Sequence, residues 1–447
     1  MEQNYVNMYR QSNLDRVRHL YVDPVKLCMT AFVYLVLFRI PRSVLGTEPL
    51  YEIYYKARTL DLTLTLYTFT LFEIITIILG LWFYILDHKK TMKYLGLLAT
   101  VVFINVGRLA FNMTNPFAYN SYEMFLTFLT ALACGSIILH YYDTKEKLRH
   151  FFDLTVAAFF VSQLMFVAVG HGTDGSFGCF GLGGGGLALC YSIYFMINLA
   201  DDKRGKVQTT LMGVCIVGTL LTGSRTNIVL MLVFTTIYML FMTPLTSGKK
   251  WRYIALLIVG ALVIVFAQGV LDNLFSSKKL TSLLSVFDKG LSSYISTDKS
   301  AGERMKTFTV AFELIAQNPL GISCSVHDLL KRMFYAGAVT FPHSYLLTYY
   351  LTFGVPFAVM YIYFLKLCIM CWKKGNKLRL LALYMLMSTT IYGGVSTTYW
   401  NITWMFLAIA LMRFELQEKA SIEANEEDGS TAHALTGSAL PSEVAHV

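Results

Sequence analysis

Apolar residues run through this chain in long blocks, separated by short stretches where Lys, Arg, Asp, Gly and Pro collect. The blocks are about 18–25 residues long, enough for a helix to cross a bilayer. They lack the two-residue alternation of an outer-membrane barrel strand. In hydrocarbon every backbone polar group must be satisfied within the chain, which makes the helix the default form. The pattern therefore predicts an all-α, polytopic membrane protein of about twelve transmembrane helices. They fall at roughly 27–40, 61–87, 93–112, 118–142, 151–169, 177–200, 207–222, 225–243, 252–271, 343–367, 378–395 and 399–414. The seventh and eighth are parted only by the break in LLTGSRTN, from Thr222 to Asn227.

One long segment, roughly 272–342, stands apart from the blocks. Within it Leu280, Leu283, Leu284, Phe287 and Leu291 recur at helical spacing, and so do Met305, Phe308, Phe312 and Ile315. Both stretches read as amphipathic helices lying on the membrane surface or over a cavity. Asn318-Pro319-Leu320-Gly321 ends the second. From about residue 418 the chain turns acidic and rich in small residues, the composition of a disordered tail. The expected division is a single integral membrane domain over 1–417 and a disordered cytoplasmic tail over 418–447.

Charge fixes the expected orientation. With the N-terminus in the cytoplasm, the cytoplasmic segments carry Arg10, Arg16, Arg18 and Lys26; Lys89, Lys90 and Lys93; Lys145, Lys147 and Arg149; Lys203, Arg204 and Lys206; Lys249, Lys250 and Arg252; Lys373, Lys374, Lys377 and Arg379; and Arg413 and Lys419. The short outer loops hold Arg108 alone, Arg225 alone, or none; the first outer loop, with Arg39, Arg42, Lys56 and Arg58, is the exception. This alternation puts both termini inside and the long segment outside.

Composition narrows the function. The chain of 447 residues is 55% hydrophobic and 15% charged, against about 25% charged in a soluble protein. Its net charge of +9 sits in the loop clusters that orient it, so no nucleic-acid partner is expected. Most of the eight cysteines lie inside apolar blocks, and the CxxC of Cys368 and Cys371 has no second pair or nearby His, so they read as membrane cysteines. No cleavable signal peptide is expected, since the first apolar block simply becomes the first helix. There is no soluble nucleotide-binding domain, and GLGGGG at 181–186 reads as a flexible or closely packed helix entrance.

Three positions on the outer side could carry chemistry. Arg225, in TGSRTN, falls in the first turn of a helix that Thr222 or Ser224 caps. A helix N-terminus attracts anions and a guanidinium adds a bidentate phosphate ligand, although an arginine snorkelling at the membrane edge would look the same locally. Arg304, in AGERMKTF, lies near the start of the second amphipathic helix, where a solvated loop charge is the alternative. His343 follows Pro342, which favours a helix start, so it is expected in the first turn of its helix. The positive end of that helix would keep the imidazole neutral and able to accept a proton; a capping or interfacial histidine is the alternative. His171, close to Asp174 in GHGTDGS, is a reserve base, and His327 is the other outer histidine. With no HxxxH, DxD or Cys/His cluster on that face, no metal is expected, though Glu48, Glu52 and Asp174 are carboxylates that could converge.

The order TGSRTNIVL, then GERMKTFTVAFELIAQNPLGI, then FPHSYLLTYYLTFG resembles the O-antigen ligase and polysaccharide polymerase family, over roughly residues 150–370. The family pattern is a small-Ser-Arg-small motif opening a helix, an Arg-starting helix followed by NP-x-G, and a His-Asn or His-Ser pair some ten residues before a Gly, here Gly354. GTDGSFGCFGLGGGGLAL departs from the family's Arg-x-x-Gly-x-Phe and Asn-Pro-Asn segment, and Ser344 stands where Asn is commoner. The resemblance implies a GT-C-like, metal-independent and cofactor-free glycosyltransferase in the bacterial cytoplasmic (inner) membrane, with its active site on the extracytoplasmic side. Arg225 and Arg304 would hold the donor diphosphate and His343 would take the acceptor proton, with Ser224, Ser344, His171 and Asp174 as supporting residues. The implied donor is an undecaprenyl-diphosphate-linked oligosaccharide and the acceptor a glycan or lipid-linked glycan. Membrane lipids, a flippase and a chain-length regulator are the implied partners. The expected activity is repeat-unit polymerase of O-antigen or capsule, with ligase to lipid A core as the alternative. A twelve-helix flippase or other transporter is the different-class alternative, but such folds usually show two halves around a longer central loop, and here the centre at Asp201–Lys206 is short.

Overall fold

The computed structural model of the chain describes residues 23–38, 62–64, 67–69, 71–87, 121–168, 178–179, 182–199, 201, 204–242, 299–319, 321–322, 326–338, 342, 344–390 and 399–437. Among these residues thirteen α-helices form. They are α1 (Pro24–Leu37), α2 (Leu71–Asp87), α3 (Ser121–Tyr141), α4 (Lys145–Ala168), α5 (Gly184–Leu199), α6 (Lys206–Leu221) and α7 (Arg225–Ile237, continued by a π turn at Tyr238–Met242). After the long gap come α8 (Lys299–Gln317), α9 (Val326–Tyr335), α10 (Tyr345–Phe353), α11 (Val355–Lys373), α12 (Asn376–Thr390) and α13 (Tyr399–Gly437).

The expected helices at 93–112 and 252–271 and the amphipathic stretch at 280–291 lie outside the described residues. Elsewhere the apolar blocks became helices, with four differences of physical interest. The block expected as one helix from 61 opens with an antiparallel hairpin, β1 (Leu62–Leu64) paired with β2 (Tyr67–Phe69). LTLTLYTFT alternates apolar and polar residues and is rich in Thr, a strand signal inside an apolar run. The block at 343–367 is two helices, split at Gly354 with φ 70°. The loop yields an unexpected helix, α9, whose apolar residues keep helical spacing. The last helix runs past residue 417 to Gly437, through a segment in which the good helix formers Glu and Ala recur.

The bundle is apolar outside and polar in places within. Ile78, Trp82, Val161, Met165, Ile362 and Trp372 are exposed, while Asp153, Gln163, Asn198, Asn227 and Asn401 are buried. Some buried polar groups are bonded across helices: Tyr194 Oη donates to Asp153 Oδ1 at 2.6 Å, Gln208 Nε2 to Asp153 Oδ2 at 2.7 Å, and Trp404 Nε1 to the Cys190 carbonyl at 3.1 Å. That distribution suits a hydrocarbon solvent, and Lys145–Ala168 is by itself long and apolar enough to cross a membrane. The glycine-rich entrance is closely packed: a Cβ on Gly186 would sit 2.7 Å from Asn401 Nδ2.

The two ends of the bundle differ. At one end Glu415 of α13 receives Arg149 at 2.9 Å, Lys377 at 3.0 Å and Lys145 at 3.1 Å. Asp201 bonds Arg149 and lies 3.3 Å from Lys377. These cations come from segments that the charge pattern assigns to one side, and the fold gathers them there. Burial lowers the Lys377 pKa, and Glu415 works against that shift. The starts of α7 and α10 lie at the opposite end.

Candidate active site

The turn between α6 and α7 sets the first motif. Thr222 Oγ1 donates to the Thr219 carbonyl at 2.6 Å and accepts from the Ser224 amide at 3.3 Å. Gly223 takes φ 64°, a conformation that L side chains disfavour. The chain thereby re-enters the bundle with Ser224 at the N-cap position and Arg225 as the first residue of α7. The Arg225 side chain lies outside the described residues. Ser224 makes no capping bond to the helix amides.

Arg304 is the second motif's cation. It sits in the second turn of α8, because that helix begins at Lys299 and not beside the arginine. Its guanidinium Nη1 donates to Thr226 Oγ1 at 3.4 Å. The fold therefore carries Arg304 to the first turn of α7, 78 residues away in sequence. This contact joins two motifs that are far apart in sequence.

α8 is held by a small core of its own. Val310, Ala311 and Leu314 pack with Leu329, Met333 and Ala338 around α9 and with Leu347 and Leu351 of α10. The buried face is thus turned from the expected stripe: Phe308 and Ile315 pack against it, but Met305 and Phe312 are exposed. Thr307, the polar residue that the apolar pattern passes over, is buried, its hydroxyl bonded to the Glu303 carbonyl at 2.7 Å.

NPLG then ties α8 to α10. Tyr350 Oη donates to the Pro319 carbonyl at 2.7 Å, and the Ile322 amide to the Leu351 carbonyl at 2.6 Å. Gly321, at φ 84°, lies against Gly354.

The third motif opens α10. Ser344 is its N-cap: Oγ accepts from the Leu347 amide at 3.3 Å and donates to the Thr390 carbonyl of α12 at 2.6 Å. Thr348 Oγ1 donates to the Pro342 carbonyl at 2.8 Å. The helix begins at Tyr345, so the first turn starts two residues later than Pro342 suggested. His343 itself, His171 and Asp174 lie outside the described residues. Ser344, expected as a supporting residue, has its hydroxyl engaged in the fold.

Below this motif is an apolar cavity of about 110 Å³. Tyr345 and Tyr349 of α10, Phe357 and Phe364 of α11, Thr389 of α12 and Ile402 of α13 are among its lining residues. Phe357 to Phe364 spans about 10 Å along α11 at 1.5 Å per residue. Among the described residues no group of three His, Cys, Asp or Glu could hold a metal ion.

Thr226 and Asn227 were passed over in the sequence, although Asn227 stands three residues after Ser224, the spacing of a capping box. Tyr350 gave no sequence signal; an interfacial tyrosine is ordinary in such helices.

The described residues form a helical bundle with apolar side chains exposed on its outside, and Arg304 of the second motif meets Thr226 of the first. Residues 210–362 match the O-antigen ligase family model, over a stretch that contains all three motifs. No curated protein matches the chain. The resemblance read from the motifs therefore holds over residues 210–362, and members of the matched family are integral membrane proteins that transfer lipid-linked glycans.

Proposed function

We propose that the protein is a repeat-unit polymerase of the bacterial inner membrane. It transfers glycan from an undecaprenyl-diphosphate-linked donor to a sugar hydroxyl on the outer face. The observation that carries the reading is the Arg304 guanidinium on Thr226 Oγ1, 3.4 Å away in the first turn of the helix that Arg225 opens. A diphosphate at that helix start meets backbone amides and the positive end of the helix dipole. Two guanidinium forks add charge that water cannot screen well there.

The reaction needs little else. The acceptor oxygen attacks the anomeric carbon, the carbon–oxygen bond to the diphosphate breaks, and the diphosphate leaves with the electron pair. Arg225 and Arg304 stabilise the charge that develops on it. His343 takes the acceptor proton, and no metal ion or nucleotide sugar takes part. The cavity beside Tyr345 gives the first part of the lipid chain an apolar berth.

Ligase activity is the second reading, favoured by the description of the matched family. The two share one chemistry and differ in acceptor. Purified protein in proteoliposomes, given a lipid-linked repeat unit, separates them on a glycan ladder gel. A ladder made from donor alone means polymerase. Transfer only when lipid A core is added means ligase. No transfer to either acceptor, with EDTA absent and divalent ions present, refutes the transferase reading.

A further inference from the structure

A serine at an N-cap normally turns its hydroxyl back to accept from the amide two or three residues on. Ser224 does not. Its Oγ accepts instead from the side-chain amide of Asn227, at 2.9 Å. Asn227 is at 0% exposure, and its own Oδ1 has no hydrogen-bond partner. In a capping box the residue at this position reaches back to the N-cap backbone N–H. Here that N–H is taken by Thr222 Oγ1 at 3.3 Å. The Asn227 side chain is left to grip the serine hydroxyl, and one of its polar atoms stays buried and unsatisfied. Fully buried polar atoms without partners are uncommon and unfavourable, so packing alone does not account for an asparagine here.

We propose that Asn227 is a positioning residue that keeps the start of α7 uncapped for the donor diphosphate, by holding the one hydroxyl that would otherwise occupy its amides. The inference rests on reading the α7 turn as the diphosphate site. A serine hydroxyl and a phosphate oxygen compete for the same N–H groups. With Ser224 turned toward Asn227, the amides of Thr226 and Asn227 have no side-chain acceptor from the N-cap, and Arg304 stands beside them on Thr226. The anion then enters without first displacing an internal bond.

The test uses full-length protein in nanodiscs, with undecaprenyl diphosphate as the binding probe and lipid-linked repeat unit as the substrate. Asn227→Ala releases the Ser224 hydroxyl to cap the helix. The probe Kd and the donor KM should rise about tenfold, the equivalent of one N-cap bond, with kcat at saturating donor within about twofold. Adding Ser224→Gly removes the competing hydroxyl, and glycine is tolerated at an N-cap, so the double variant should return to within about threefold of the wild-type Kd. Rescue by a second truncation is something a packing role cannot give. Asn227→Leu, which fills the side-chain volume, carries the same test if the alanine variant does not purify folded. Wild-type affinity in Asn227→Ala, or equal loss in the single and double variants, overturns the inference and leaves the proposed function standing. If wild-type protein binds no undecaprenyl diphosphate, the site reading falls and takes the inference with it.

Discussion

Gly321 and Gly354 meet backbone to backbone: a Cβ on Gly321 would fall 2.5 Å from the Gly354 nitrogen and 2.7 Å from its Cα. Both have positive φ, 84° and 70°. One glycine lies just beyond the helix that carries Arg304, which ends at Gln317, and the other caps the helix that follows His343, so their contact bears on how two motifs sit relative to each other. Gly321→Ala adds a clash with main chain, which cannot rotate away, and an unfavourable φ. It should destabilise the protein by about 2 kcal/mol or more, read as a lower thermal midpoint in detergent. An unchanged midpoint would show that the two segments separate freely.

The arginine contact makes a second prediction. Arg304→Lys keeps the charge but loses the planar fork, as does Arg225→Lys. Each should lower kcat/KM for the lipid-linked donor by roughly 10-fold to 10²-fold, and Arg→Ala by about 10²–10³-fold. Thermal stability should change little at Arg304, which is only half-buried. Normal turnover in both alanine variants, at normal protein level, would remove the diphosphate site from this turn.

The cavity can be tested apart from the arginines. Ile402→Trp narrows it from the α13 side, and overpacking of a filled site usually costs about 1–3 kcal/mol. The donor KM should rise while a water-soluble acceptor keeps its KM. Equal KM for the donor in wild type and variant means that the lipid chain runs elsewhere.

Much of the helical frame was legible because long apolar blocks can do little else in a membrane. The motif order was legible too, since each motif sits at a helix boundary that Gly, Pro or Ser marks. What the sequence withheld was phase. On α8 the stripe through Met305 and Phe312 and the face through Val310 and Leu314 lie on nearly opposite sides of the helix, and the choice falls to the neighbours α9 and α10. The hairpin at Leu62–Phe69 was written in alternation within each strand, but the run's apolar content masked it. The contact of Arg304 with Thr226 depends on tertiary folding over a long separation, which no local pattern encodes.

Orientation is open to direct labelling. The ion cluster around Glu415 gathers cations that the charge rule assigns to the cytoplasm. The segment at 272–342 should then face outward. Ser293→Cys, in a background without other reactive cysteines, should label with a membrane-impermeant thiol reagent in intact spheroplasts. Labelling only after lysis would reverse the orientation and put the proposed site on the wrong side for an outer glycan.

His343 is the last group to test, and the most informative. Its neighbours are fixed: Ser344 caps α10 and bonds Thr390 of α12, while Thr348 bonds the Pro342 carbonyl. The acceptor hydroxyl is a poor nucleophile until its proton leaves, whereas diphosphate departs readily once its charge is met. Removing the base should therefore slow the chemical step by about 10²–10⁴-fold, with far less effect on donor affinity. His343→Ala and His343→Gln should both fold and bind undecaprenyl diphosphate like wild type, and both should lose transfer. Glutamine keeps a polar side chain of similar reach but cannot take the proton. Full turnover in His343→Gln would make the histidine a structural element of the α10 entrance, and the search for the base would move to His171 beside Asp174.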